Sequence, residues 1–90
     1  MGNDLQKRRN DILKTIQSII YEEVSKPPDL VIEEKSHLFQ ELHFTSLDFI
    51  ILLVALEEKY NIMLSDSDIS MQNLITVSQI INGVIKQLDL

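Results

Sequence analysis

The hydroxyl of Ser46 is the side chain best placed for chemistry in this 90-residue chain. It stands where a long connection gives way to an apolar, helix-forming run that ends near Tyr60. The first N–H groups of a helix have no intrahelical partner, and the dipole is positive there. An anion built on Ser46 Oγ, such as a phosphodiester, is therefore favoured. The simpler alternative is that Ser46, or Thr45 before it, only caps the helix by accepting a backbone N–H bond. Taken alone, these residues leave both readings open.

Other constellations are incomplete. A Ser46–His43 nucleophile pair lacks an orienting acid and a pocket. His37 and His43 have no partner set for a metal. Asp66-Ser67-Asp68 begins like a calcium loop, but Met71 stands where Gly is needed and Val77 where the closing Glu belongs. Glu22-Glu23, Glu33-Glu34 and Glu57-Glu58 read as solvated faces rather than acid/base pairs. No Gly-rich phosphate loop is present. With no cysteine, neither a disulfide framework nor a thiolate zinc site is available. No residue set supports an enzyme.

Charge narrows the partners. The formal net charge is −6. Residues 1–20 carry Lys7, Arg8, Arg9 and Lys14 against Asp4 and Asp11, whereas residues 21–90 carry four Lys against twelve Asp and Glu. Such an acidic surface repels nucleic acid and attracts basic protein surfaces. The Lys7-Arg8-Arg9 cluster reads as a solvated helical face, not a nucleic-acid patch. The longest apolar run, Phe49 to Leu56, has eight residues, against the roughly 20 of a membrane-spanning helix. The N-terminus has no apolar run of the secretory kind, and Gln6 breaks the myristoylation pattern. A single domain over residues 1–90, monomeric and cytoplasmic, is expected.

The elements that must position Ser46 follow from spacing. Leu5, Ile12, Leu13, Ile16, Ile19, Ile20 and Val24 recur mostly every three or four residues, which predicts a helix from about Asp4 to Val24. Pro27 and Pro28 close it. Residues 25–45 form a long connection whose Leu30, Val31, Ile32, Leu38, Phe39 and Leu42 should pin it to the core. A second helix starts at Thr45 or Ser46 and stops near Asn61. Ser65 to Asn73 reads as a short third helix with Ser65 as its cap, and a last helix follows Thr76. The fold class is all-α: a small four-helix bundle with a long loop between its first two helices and a short third helix. The predicted core is Ile16, Ile20, Phe49, Leu53, Leu56, Tyr60, Val77, Ile81 and Val84. The second helix is apolar beyond its core side. Leu47, Ile51 and Val54 lie round from the core group, with Asp48, Glu57 and Glu58 at the rim, and suit a docking patch for a partner. The alternative is that the loop covers them through Leu30, Ile32 or Phe44.

One stretch carries more than spacing. Glu41-Leu42-His43-Phe44-Thr45-Ser46-Leu47-Asp48, followed by Val54-Ala55-Leu56-Glu57-Glu58-Lys59-Tyr60-Asn61-Ile62, resembles the acyl carrier protein family. Leu38-Phe39 and Thr76-Val77 match that family's loop and the start of its final helix. The resemblance implies that Ser46 carries 4'-phosphopantetheine, placed there from coenzyme A by a phosphopantetheinyl transferase. It implies partners that load an acyl or aminoacyl group as a thioester, and downstream synthase or transferase enzymes of fatty acid, polyketide or related pathways. It implies no catalysis by the chain itself. Three positions depart from the pattern: His43 replaces a Gly, Thr45 replaces the Asp before the serine, and Ile51 replaces a frequent acidic residue. The Leu64–Leu74 stretch is longer than in fatty-acid carriers and looks more like stand-alone carriers of specialised biosynthesis. A peptidyl or aminoacyl carrier using the same serine is the runner-up. An unmodified helical interaction module is the rival from another class.

Overall fold

Isoleucines at three- and four-residue spacing drive the first element of the computed structural model, which describes residues 2–64, 69 and 75–89. Helix α1 runs Gly2–Glu22, α2 runs Ser46–Tyr60 and α3 runs Val77–Leu88. Ile12, Ile16, Ile19 and Ile20 bury one face of α1. The helix stops short of the expected Val24 because Ser25 turns left-handed at φ 63°. The Val24 and Lys26 N–H groups return to the Ile19 and Ile20 carbonyls across that turn. Val24 stays buried although it has left the helix.

Thr76 starts α3 with a capping box, its side chain accepting from the Gln79 N–H while the Gln79 side chain accepts from the Thr76 N–H. Val77, Ile80, Ile81, Gly83 and Val84 are buried beneath it. The α1 helix packs on both α2 and α3. The expected short helix over residues 65–73 lies outside the described residues except for Ile69. Three helices are thus described, with no strand among the described residues beyond one isolated bridge between His37 and Thr76. None of these helices is long and apolar enough to cross a membrane.

The long connection is ordered by its own apolar residues. Ile32, Leu38, Leu42 and Phe44 are buried, and Leu30 and Phe39 are half-buried against the core. Burying a large apolar side chain contributes about 1.5–3 kcal/mol, which offsets part of an ordering cost of about 1–2 kcal/mol per backbone residue. Val31 departs from the expectation and points to solvent. Backbone bonds from Leu38 N–H to the Ile75 carbonyl and from Val77 N–H to the Ser36 carbonyl tie the loop to the start of α3. Gln17 Nε2 and the Tyr21 hydroxyl donate to the Ile32 and Leu30 carbonyls. The buried Ser36 hydroxyl accepts from the Glu33 N–H at 2.9 Å. Among the described residues, no buried side-chain nitrogen or oxygen lacks a partner.

Two expectations change here. The Lys7-Arg8-Arg9 cluster is not simply a solvated face: Arg9 reaches Glu34, Ser78 and Asn82, and Arg8 pairs with Asp89 at 2.8 Å. On α2 Leu52 is fully buried along with Leu56, whereas Leu53 and Tyr60 are half-buried. Counted at about 100° per residue from Ser46, Leu52, Leu56 and Phe49 lie at roughly 240–300°. Leu53 and Tyr60 sit on the edge of that arc. The remaining expected core residues, Ile16, Ile20, Phe49, Leu56, Val77, Ile81 and Val84, are buried.

Candidate functional site

The Ser46 junction is built by the residues on either side of it. Thr45 is extended at φ −90° and ψ 171° and is the N-cap of α2. Its hydroxyl accepts from the Asp48 N–H at 3.1 Å, and its own N–H donates to Asp48 Oδ2 at 2.9 Å. This capping box decides between the two hydroxyls: Thr45 caps, and Ser46 is the first helical residue. The Ser46 side chain is exposed. No described residue hydrogen-bonds its hydroxyl, and no described acceptor takes the Ser46 or Leu47 N–H. An exposed free hydroxyl beside two orphan N–H groups at the positive end of a helix fits a phosphodiester.

The approach to Ser46 is held from below and from the side. Phe39 of the loop meets Phe49 of α2 with ring centroids 5.8 Å apart. Phe44 is buried, with Lys26 Nζ 5.7 Å from its ring centroid. His43 takes φ 57°, the left-handed conformation that the replaced glycine would favour. Its carbonyl accepts a 2.9 Å bond from Lys26 Nζ, which also stands 3.4 Å from Asp48 Oδ2. Partial burial pushes the Asp48 carboxyl up, but the Thr45 N–H, the Lys26 charge and the bonds from Lys26 and Thr45 outweigh it. The net result is a value below the ordinary aspartate range.

The expected docking residues are not all brought together. Leu47 and Val54 are exposed, at 65% and 45%. Ile51 is half-buried against the core, and Ile50, at 50% exposure, stands in its place. Burial runs round α2 from Ile51 to Leu53, leaving an exposed arc with Ile50, Val54, Leu47 and Glu58 at roughly 40–120° from Ser46. Ile32 and Phe44 go into the core instead of covering that arc. Asp48 serves the cap and Lys26, not a free rim. Glu57 takes the Leu64 N–H on Oε2 at 2.9 Å, leaving Glu58 as the exposed acid of the pair. Sequence reasoning missed Lys26 because no spacing rule links it to a carbonyl seventeen residues on. It missed Ile50 because the direction of the core around α2 was set about 40° off. Among the described residues, no group of His, Asp or Glu is placed to hold a metal.

Comparison with known proteins gives the family. The family model described as the phosphopantetheine attachment site matches residues 11–84, which include all of α2 and most of α3. The chain is similar to the acyl carrier protein of Cyanidium caldarium, 38% identical over 60 residues, 67% of this chain and 69% of the relative. It is similar to the acyl carrier protein of Campylobacter fetus, 32% identical over 73 residues, 81% of this chain and 91% of the relative. A third, the acyl carrier protein of Campylobacter jejuni, is 34% identical over 69 residues, 77% of this chain and 86% of the relative. The match over residues 11–84 makes the chain a phosphopantetheine attachment domain. The chain belongs to the acyl carrier protein family, whose members hold 4'-phosphopantetheine covalently.

Proposed function

We propose that Ser46 is the attachment residue and that the chain presents acyl groups to successive biosynthetic enzymes. One observation carries this reading. The Ser46 hydroxyl is exposed and engaged by no described residue, because Thr45 does the capping. In the transfer, Ser46 Oγ bonds to the phosphopantetheine phosphorus of coenzyme A. The pyrophosphate P–O bond breaks, an adenosine bisphosphate leaves, and the hydroxyl proton passes to a base of the phosphopantetheinyl transferase. Once bound, the arm supplies a terminal thiol for thioester linkage. The chain contributes anchorage, placement and recognition, and no reaction of its own.

The same reading includes an acyl-loading enzyme, downstream synthases or transferases, a single monomeric domain over residues 1–90 and a cytoplasmic location. It includes a short helix over residues 65–73 that completes a four-helix bundle. Ile69 within that stretch packs against the core, and Leu64 and Ile75 on either side of it are buried, which supports this reading. Leu47, Ile50 and Val54 form the partner-facing surface, with Glu58 at its far end. The test of the attachment residue is intact mass after incubation with a broad transferase and coenzyme A. The wild-type chain should gain one phosphopantetheine and Ser46→Ala none.

A further inference from the structure

Lys26 touches three successive parts of the segment that delivers Ser46. Its Nζ donates to the His43 carbonyl at 2.9 Å, lies 5.7 Å from the Phe44 ring centroid and stands 3.4 Å from Asp48 Oδ2. Its side chain is 19% exposed, so the ammonium is turned onto these groups and away from solvent. The three contacts fall on the left-handed residue, the buried ring and the capping carboxylate.

His43 is the weak link of that segment. A residue with a β-carbon disfavours φ 57° and gains by leaving it. Only Phe44 and Thr45 separate it from Ser46, so a change of φ at His43 redirects both and moves the serine. The bond from Lys26 fixes the His43 carbonyl, and the ion pair with Asp48 holds the same cation to the first turn of α2. We infer that Lys26 is a positioning residue for transfer onto Ser46. It latches the turn over residues 43–48, so that the free chain already holds the hydroxyl in the geometry the transferase engages. This rests on Ser46 being the acceptor.

A latch of this kind acts on the fraction of free chain that is competent to bind. The apparent dissociation constant is the intrinsic one divided by that fraction. Loss of the latch therefore raises KM for the carrier and leaves kcat in place, since the bound carrier has the turn formed. A residue that only supports stability lowers the unfolding midpoint without moving KM of the folded chain.

The test is steady-state transfer from coenzyme A with the full carrier chain as the varied substrate, alongside urea unfolding. Lys26→Met keeps the stem over Phe44 and loses the ammonium. It should raise KM about fivefold or more, with kcat within about twofold of wild type. Lys26→Arg, which keeps the charge and donors, should stay near wild type. Adding His43→Gly to Lys26→Met should restore KM, because glycine holds positive φ unaided. An unchanged KM in folded Lys26→Met overturns the latch. A raised KM that His43→Gly does not restore overturns it too, since Lys26 would then be contacting the transferase directly. If Lys26→Met does not fold, Lys26→Gln takes its place under the same criteria. Ser46→Ala runs in parallel: transfer onto that variant overturns the acceptor reading, a failure distinct from that of the latch.

Discussion

Thr45 and Asp48 cap each other. The threonine hydroxyl accepts the aspartate N–H at 3.1 Å, and the aspartate carboxylate accepts the threonine N–H at 2.9 Å. That exchange releases Ser46 from capping, so the proposed attachment hydroxyl and the capping hydroxyl belong to different residues. Thr45→Ala should destabilise the fold by about 0.5–2 kcal/mol. Ser46→Ala should leave the urea midpoint nearly unchanged. A larger loss at Ser46 than at Thr45 would reverse this division of labour.

The same pair makes stability depend on pH in a fixed direction. The Asp48 carboxyl is held below its ordinary value in the folded chain. Its contribution is therefore fully present above the unfolded value of about 3.9. It is lost as pH falls through the lowered folded value. Urea unfolding of wild type and Asp48→Asn should differ by a constant amount from neutral pH down to about pH 5, and the gap should close in stronger acid. A gap that widens on acidification would show that Asp48 is not held ionised by Thr45 and Lys26.

The core around α2 gives a comparison between neighbours. Leu52 is fully buried and Leu53 half-buried. Leu52→Ala should cost about 2–5 kcal/mol by leaving a cavity, and Leu53→Ala clearly less, read as a difference in urea midpoint. Equal losses would mean that α2 is rotated from the orientation described.

Much of this was legible in the sequence, and the exceptions have physical causes. The isoleucine periods of α1 and the stripe of α3 gave helices whose expected core residues, Ile16, Ile20, Val77, Ile81 and Val84, are buried, because each has one apolar face. The start of α2 was legible from its two adjacent hydroxyls, but which of them caps was not. That choice depends on the Asp48 side chain reaching back. The apolar residues from Phe49 to Leu56 encircle α2 almost completely, so periodicity could not point its core face. Leu52 and Ile50 were lost for that reason. Lys26 was illegible because its partners are brought to it by the loop's fold, not by sequence spacing.

The surface beside Ser46 can be tested by exchanging the two adjacent isoleucines. Ile50→Glu alters an exposed side chain, so binding to a partner such as the transferase should weaken by about 1 kcal/mol or more while folding is nearly unaffected. Ile51→Glu places a charge on a half-buried flank and should destabilise the fold itself. Titrating partner binding and urea on both variants separates them. Full binding by Ile50→Glu would remove the Leu47–Ile50–Val54 surface from partner recognition.

The central claim is the identity of the modified atom, Ser46 Oγ. Intact-mass and peptide-level mass spectrometry of the chain, after incubation with a phosphopantetheinyl transferase and coenzyme A, reads it in one experiment. The prediction is a single phosphopantetheine on the peptide containing Ser46 and no mass gain in a folded Ser46→Ala chain. A modified Ser46→Ala chain, or an arm on any other residue of the wild type, would contradict it.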